Sequence, residues 1–179
     1  MPHKYLIKEF QEFARSASDA KLLMKYVAER IHKHIPRYNW AGFYLLDSTN
    51  RSTLVLGPHT GSFTPNPAVP LSHGLCGEAF SNRQVLVVDN VAEDPRYVCA
   101  SDIVKSHISV PLLVGSKAIG VFSVESYFLA TFQPSVEREF VQTCARIVVT
   151  CGEHTGRLPF SGTRSEWASP PLSPPGQGL

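Results

Sequence analysis

Two cysteines of this 179-residue chain stand where chemistry could occur, Cys76 and Cys99. Cys76 lies in Gly74-Leu-Cys-Gly77, close to an expected helix start, and a helix N-terminus favours a thiolate. Cys99 follows Tyr97-Val98 in a long connection that has to fold over a sheet. A disulfide needs Cα atoms within about 7 Å, which such a connection can supply, so the two thiols could form a redox pair. Each also has a plainer reading, Cys76 as a small half-buried packing residue and Cys99 as an inert loop thiol. Cys144 and Cys151 sit seven apart on an apolar helix stripe, which is ordinary packing.

His107 begins a strand that faces inward, where it would line a pocket and titrate near neutral pH. A satisfied, non-catalytic histidine is the plainer alternative. Trp40 and Tyr44 share one face of their strand and fit either pocket walls or core. His32 and His34 are two apart and fall on different faces of a helix, so they are no metal pair. The other histidines show no ligand spacing with Cys or acid, and no zinc site is expected. No glycine-rich phosphate loop, nucleophile elbow or triad pattern is present.

The elements that must hold these residues follow from periodicity. Tyr5 to Phe13 predicts a short helix; Ser18 or Asp19 caps a second, with Leu23, Tyr26 or Val27, and Ile31 on one face and Pro36 ending it. Asn39 to Leu46 and Thr53 to Leu56 read as a hairpin around the turn Asp47–Ser52, and Gly57 to Pro70 as irregular. A helix is expected from Leu75 to Asn82 and a strand from Val85 to Val88. A second hairpin, His107 to Val114 with Ala118 to Ser126, turns over Gly115-Ser116. The last helix starts at Pro134 and reaches Cys151, with Gly152 as its stop. This order of elements indicates an α+β domain, an antiparallel sheet carrying helices.

Composition limits the function classes. A hydrophobic fraction of 43% and a charged fraction of 18% suit one globular domain. Seventeen basic against fifteen acidic residues give +2 with no Lys/Arg block, so no nucleic-acid partner is expected. The longest apolar stretch, Ile108 to Val124, is broken by Pro111, Gly115, Lys117 and Gly120, so no membrane span is expected. Few, scattered cysteines and no visible leader point to a reducing cytoplasm. Residues 1–155 read as a single domain and 156–179, rich in Pro, Ser and Gly, as a mobile tail. Two apolar helix stripes, near Leu22–Ile31 and Val136–Cys151, lead to the expectation of a homodimer.

Five stretches in order resemble the GAF domain family: Asn39-Trp-Ala-Gly-Phe-Tyr-Leu-Leu46, Leu71-Ser-His-Gly-Leu-Cys-Gly77, Val88-Asp-Asn-Val-Ala-Glu-Asp-Pro-Arg-Tyr97, Ser109-Val-Pro-Leu112 and Gly120-Val-Phe-Ser-Val-Glu125. The resemblance covers about Ala20 to Cys151. It implies a GAF-like central antiparallel sheet of about six strands, with helices on both faces and a small-molecule pocket on one. Asn39-Trp40, Gly42-Phe43-Tyr44, Leu56-Gly57-Pro58 and Gly74-Leu-Cys-Gly77 look most like the free methionine-(R)-sulfoxide reductases. In that group a cysteine thiolate attacks the sulfoxide, a second cysteine resolves the sulfenic acid, and thioredoxin or another thiol reductant restores both.

The resemblance puts Cys76 at the resolving position, while Cys99 lies one residue before the attacking position, which is Ala100. His107 stands where the family has a glutamate, and Ser123 and Glu125 where it has two acids. The implied ligand-binding residues are Trp40, Tyr44, His107, Ser123 and Glu125. The expected function is a stand-alone domain or small-molecule sensor that binds a small polar ligand, with a degenerate catalytic site and no cofactor. The alternative is an active reductase with Cys99 and Cys76 as catalytic residues.

Overall fold

A computed structural model describes residues 2–63, 65–98 and 101–156. Three helices and two hairpins account for most of it. The helix α1 spans Pro2–Ser16 and α2 Ala20–His34, the latter capped by the Asp19 carboxylate, which accepts the Leu22 amide at 3.0 Å. Strands β1 (Trp40–Leu46) and β2 (Thr53–Gly61) form the first hairpin, and β3 (Ala68–Pro70) adds an edge strand. Then come α3 (Leu75–Asn82), β4 (Leu86–Val88), a single turn of 3-10 helix (Val91–Glu93), β5 (Ser106–Val114), β6 (Lys117–Ser126) and α4 (Ser135–Thr155). The six strands form one antiparallel sheet in the order β3-β2-β1-β6-β5-β4.

The expected α+β class and GAF-like sheet are found, with α1, α2 and α4 on one face and α3 on the other. Alternation along the strands divides the two faces. Phe43, Ile108, Val110, Phe122 and Val124 point to α2 and α4, and Phe43 stacks on Phe122 at 4.4 Å. On the other face stand Trp40, Tyr44, His107, Ser109, Ser123 and Glu125.

Two element expectations need correction. β2 continues to Gly61 where irregular chain was expected, because Trp40–Gly42 pair with His59–Gly61 beyond a bulge. Pro58 falls in that bulge, where no amide is needed for the ladder, and Pro70 sits on the edge strand β3. The helix α4 runs through Gly152, which is buried, and ends at Gly156 in the left-handed conformation (φ 62°). Burial offsets the cost of about 1 kcal/mol that a glycine adds inside a helix.

The helix α1 packs against α2 and α4. Leu23, Val27 and Ile31 of α2 and Phe140, Cys144 and Val148 of α4 are therefore buried within one chain. The two apolar stripes thus supply no argument for a second copy; Leu22 and Val136 are the stripe residues left exposed. Among the described residues no helix is long and apolar enough to cross a membrane. Cys99, expected as the redox partner of Cys76, and residues 157–179, expected as a mobile tail, lie outside the described residues.

Candidate functional site

Opposite the helices, the sheet forms the floor of a cavity of about 220 Å³. That is below the roughly 300–1,000 Å³ of sites for drug-sized ligands, and suits a molecule of amino-acid size. The helix α3 and the turn carrying Tyr97 and Val98 close one side, and the segment through Phe63, Asn66 and Val69 closes the other.

One wall is aromatic because the strands leave space for it. The Trp40 indole lies flat across two glycines: a Cβ on Gly42 would come within 2.5 Å of the ring, and one on Gly61 within 2.4 Å. Phe63 and His59 stack on the indole with ring centres about 6 Å away. Tyr44 stands beside it and donates its hydroxyl to the Asn66 carbonyl at 2.9 Å. Burial pushes the Tyr44 phenol up, so it remains a neutral donor.

The floor is polar. β5 and β6 pair His107 with Glu125 and Ser109 with Ser123, and alternation sends all four to the cavity side. Glu125 Oε1 lies 3.0 Å from His107 Nδ1, and His107 Nε2 lies 2.6 Å from Ser109 Oγ. Ser109 Oγ is 2.9 Å from Ser123 Oγ, which is 3.3 Å from Cys76 Sγ; Cys76 Sγ also lies 3.6 Å from Ser109 Oγ. A carboxylate, an imidazole, two hydroxyls and a thiol thus form one continuous chain.

Burial disfavours the His107 imidazolium, but the neighbouring Cys76 thiol and Glu125 carboxylate favour it more, and its pKa is pushed up to about 9. At neutral pH both ring nitrogens then donate, Nδ1 to Glu125 and Nε2 to Ser109. Among the described residues, two buried polar atoms of the lining have no partner: the acceptor Glu125 Oε2 and the donor Trp40 Nε1. Such orphans are costly unless something satisfies them.

A ring of charge supports the closing side. Arg96 donates to Asp94 Oδ1 at 2.9 Å and to Glu78 Oε1 at 2.8 Å, tying the turn before Tyr97 to α3. Its guanidinium holds the Asp94 carboxyl below the usual range.

The structure therefore gathers Trp40, Tyr44, Cys76, His107, Ser123 and Glu125 around one cavity. Cys99 is outside the described residues, although Val98 before it lines the rim. Cys144 and Cys151 are buried on the helix face, as packing cysteines. Sequence reasoning missed Ser109, which links His107 to the serine–cysteine end. Its signal was its place two residues after His107 on one strand. Phe63 was missed too, because it lies in chain read as irregular.

A sheet with paired helices on one face and a small pocket on the other defines an α+β domain of one recurrent type. The chain belongs to the GAF domain family, whose sequence profile matches residues 17–150. It is related to the free methionine-R-sulfoxide reductases. Over 117 residues it is 31% identical to that of Escherichia coli, covering 65% of this chain and 68% of the relative. It is 30% identical over 111 residues to that of Saccharomyces cerevisiae, covering 62% of this chain and 61% of the yeast protein, less than two thirds of its length. The fold is shared with the free methionine-R-sulfoxide reductase of Neisseria meningitidis in complex with its substrate. There the TM-score is 0.80 at 24% identity, over 87% of this chain and 90% of that one.

Proposed function

We propose that this chain is a GAF-domain binding module for a small, zwitterionic, amino-acid-like molecule, without the two-cysteine reaction that its relatives' pattern implies. The observation that carries the reading is the pair of unsatisfied atoms in the cavity, Glu125 Oε2 and Trp40 Nε1. An ammonium group meets the first and an oxygen acceptor the second, while Trp40, Phe63 and Tyr44 cover an apolar side chain. The second acid expected from the family pattern is Ser123 here, and the attacking position is Ala100. One carboxylate then carries the charge recognition alone.

Calorimetric titration with free methionine and with free methionine-(R)-sulfoxide tests this. Both bind the wild type, and Glu125→Gln weakens binding by roughly 10- to 100-fold, the value of one charge-assisted hydrogen bond in a desolvated site. No binding of either compound overturns the reading. Thioredoxin-dependent turnover that requires both Cys99 and Cys76 replaces it with the two-cysteine reductase.

A further inference from the structure

We propose that Glu125 exchanges one cation for another: a ligand ammonium that settles on its free oxygen expels the proton of His107, so that binding releases a proton. The inference rests on the pocket reading given above and adds to it the group that regulates its affinity. Its ground is the division of one buried carboxylate. Glu125 Oε1 lies 3.0 Å from His107 Nδ1, while Oε2 has no partner among the described residues. Both residues line the cavity and are more than nine-tenths buried, so solvent screens little of the charge between them.

Without a ligand, the carboxylate and the imidazolium balance each other. Burial disfavours the imidazolium, but Cys76 and Glu125 favour it more, and its pKa is raised to about 9. An ammonium on Oε2 adds a second positive charge across the same carboxylate. Two hydrogen bonds and the width of the carboxylate set the cations about 5–6 Å apart. At an effective dielectric constant of about 20, their repulsion lowers the proton affinity of His107 by roughly 100-fold. One carboxylate does not neutralise both.

The serines let His107 give up that proton without leaving a group unsatisfied. As an imidazolium it donates from Nε2 to Ser109, which donates to Ser123, which donates to the Cys76 sulfur. Once His107 is neutral, the direction reverses: the Cys76 thiol donates to Ser123, Ser123 to Ser109 and Ser109 to Nε2. Nδ1 donates to Glu125 in both states. Only hydroxyl and thiol hydrogens turn, and no heavy atom has to move.

The titratable groups facing His107 come from three elements. They are Glu125 from β6, Cys76 from α3, and Asp94 and Tyr97 from the turn after the 3-10 helix, with the Tyr97 ring edge-on at 6.4 Å between centroids. Asp94 is already tied to Arg96, and β4 sets Val88 opposite His107. Tyr44 and His73 complete the titratable lining of the cavity. The exchange also narrows the ligand class. A neutral amide or alcohol would satisfy Oε2 and leave the imidazolium in place, whereas an ammonium replaces its charge.

The test titrates the full chain with free methionine in a calorimeter at about pH 8, in two buffers of unlike ionisation enthalpy. The expected result is close to one proton released per ligand, with affinity rising by up to about 100-fold between about pH 7 and about pH 9. Nitrogen spectra of the histidine-labelled chain locate the proton: both His107 ring nitrogens carry hydrogen in the free chain, and only Nδ1 does in the complex. His107→Asn keeps a donor beside Glu125 but no titrating group, so it binds with no proton released and without that pH dependence. The wild-type spectra decide the matter should this variant fail to fold. Binding with no proton released, or with both His107 nitrogens still carrying hydrogen, overturns the inference and leaves the pocket reading intact. Proton release by His107→Asn equal to that of the wild type overturns it too. Absence of binding at every pH overturns both readings.

Discussion

The two faces of one strand pair have opposite chemistry. On β5 and β6, Ile108, Val110, Phe122 and Val124 enter an unbroken apolar core beneath α2 and α4. Their immediate neighbours His107, Ser109, Ser123 and Glu125 form a hydrogen-bonded polar chain under the cavity. The hairpin is therefore held from one side by burial and left free on the other to carry groups that are costly to bury. Buried charge is tolerable there because the rigid register fixes its partners: His107 pairs with Glu125 and Ser109 with Ser123 across the ladder.

If this division holds, the largest effect of any single change is on the helix side. Phe122 is fully buried and stacked on Phe43, so Phe122→Ala costs about 3–5 kcal/mol in urea unfolding. A loss below about 1 kcal/mol would show that the apolar layer is not what holds the hairpin.

On the cavity side, the corresponding signature is pH dependence. The folded His107 pKa is raised from 6.5 to about 9, so its stabilising contribution is complete below about 6.5 and is lost as pH rises through 9. Wild-type stability should therefore decline across that window. In Glu125→Gln the imidazolium loses a charge partner and the decline flattens. Equal slopes for the two proteins would mean that the buried pair does not govern the site.

A smaller effect is expected where the two faces meet solvent. Arg96 joins α3 to the turn bearing Tyr97, but its side chain is 39% exposed, so its ion pairs are screened. Arg96→Ala should cost no more than about 1 kcal/mol of stability. Its sharper consequence is a looser cavity wall, seen as few-fold weaker binding with little change in unfolding.

The helix face was almost wholly legible in the sequence, because apolar residues at helical and strand spacing state their own burial. Leu23, Val27 and Ile31 are where periodicity put them, and Asp19 is the cap. The cavity side was legible only in part. Trp40, Tyr44, His107, Ser123, Glu125 and Cys76 could be proposed from local pattern and resemblance, yet their connection depends on cross-strand register. Ser109 shows the difference: its place two residues after His107 puts it on the same strand face, but only the pairing with Ser123 makes it the link between an imidazole and a thiol. The course of β2 past Pro58 was hidden because proline ordinarily ends a ladder, and only the bulge opposite β1 accommodates it. The stop of α4 was misplaced for the converse reason, since Gly152 is tolerated by packing while Gly156 takes the left-handed turn.

The smallest expected effect lies beyond both faces. The helix α4 completes its own terminus: the Gly156 amide donates to the Glu153 carbonyl, and Cys151 and Gly152 carbonyls accept the Thr155 hydroxyl. The Cys151, Gly152 and Glu153 carbonyls thus have partners within the helix itself. The segment carries five prolines from Pro159 onward, at 159, 170, 171, 174 and 175, and few apolar residues to bury. Its removal should change Tm by less than a few degrees and leave ligand affinity unaltered. For a domain of about 150 residues, 1 kcal/mol corresponds to roughly 2–4 °C, so a larger fall measures a docking energy directly. Such a fall, if accompanied by weaker binding, would place the segment against the cavity side; without it, the helix side would be the docking surface.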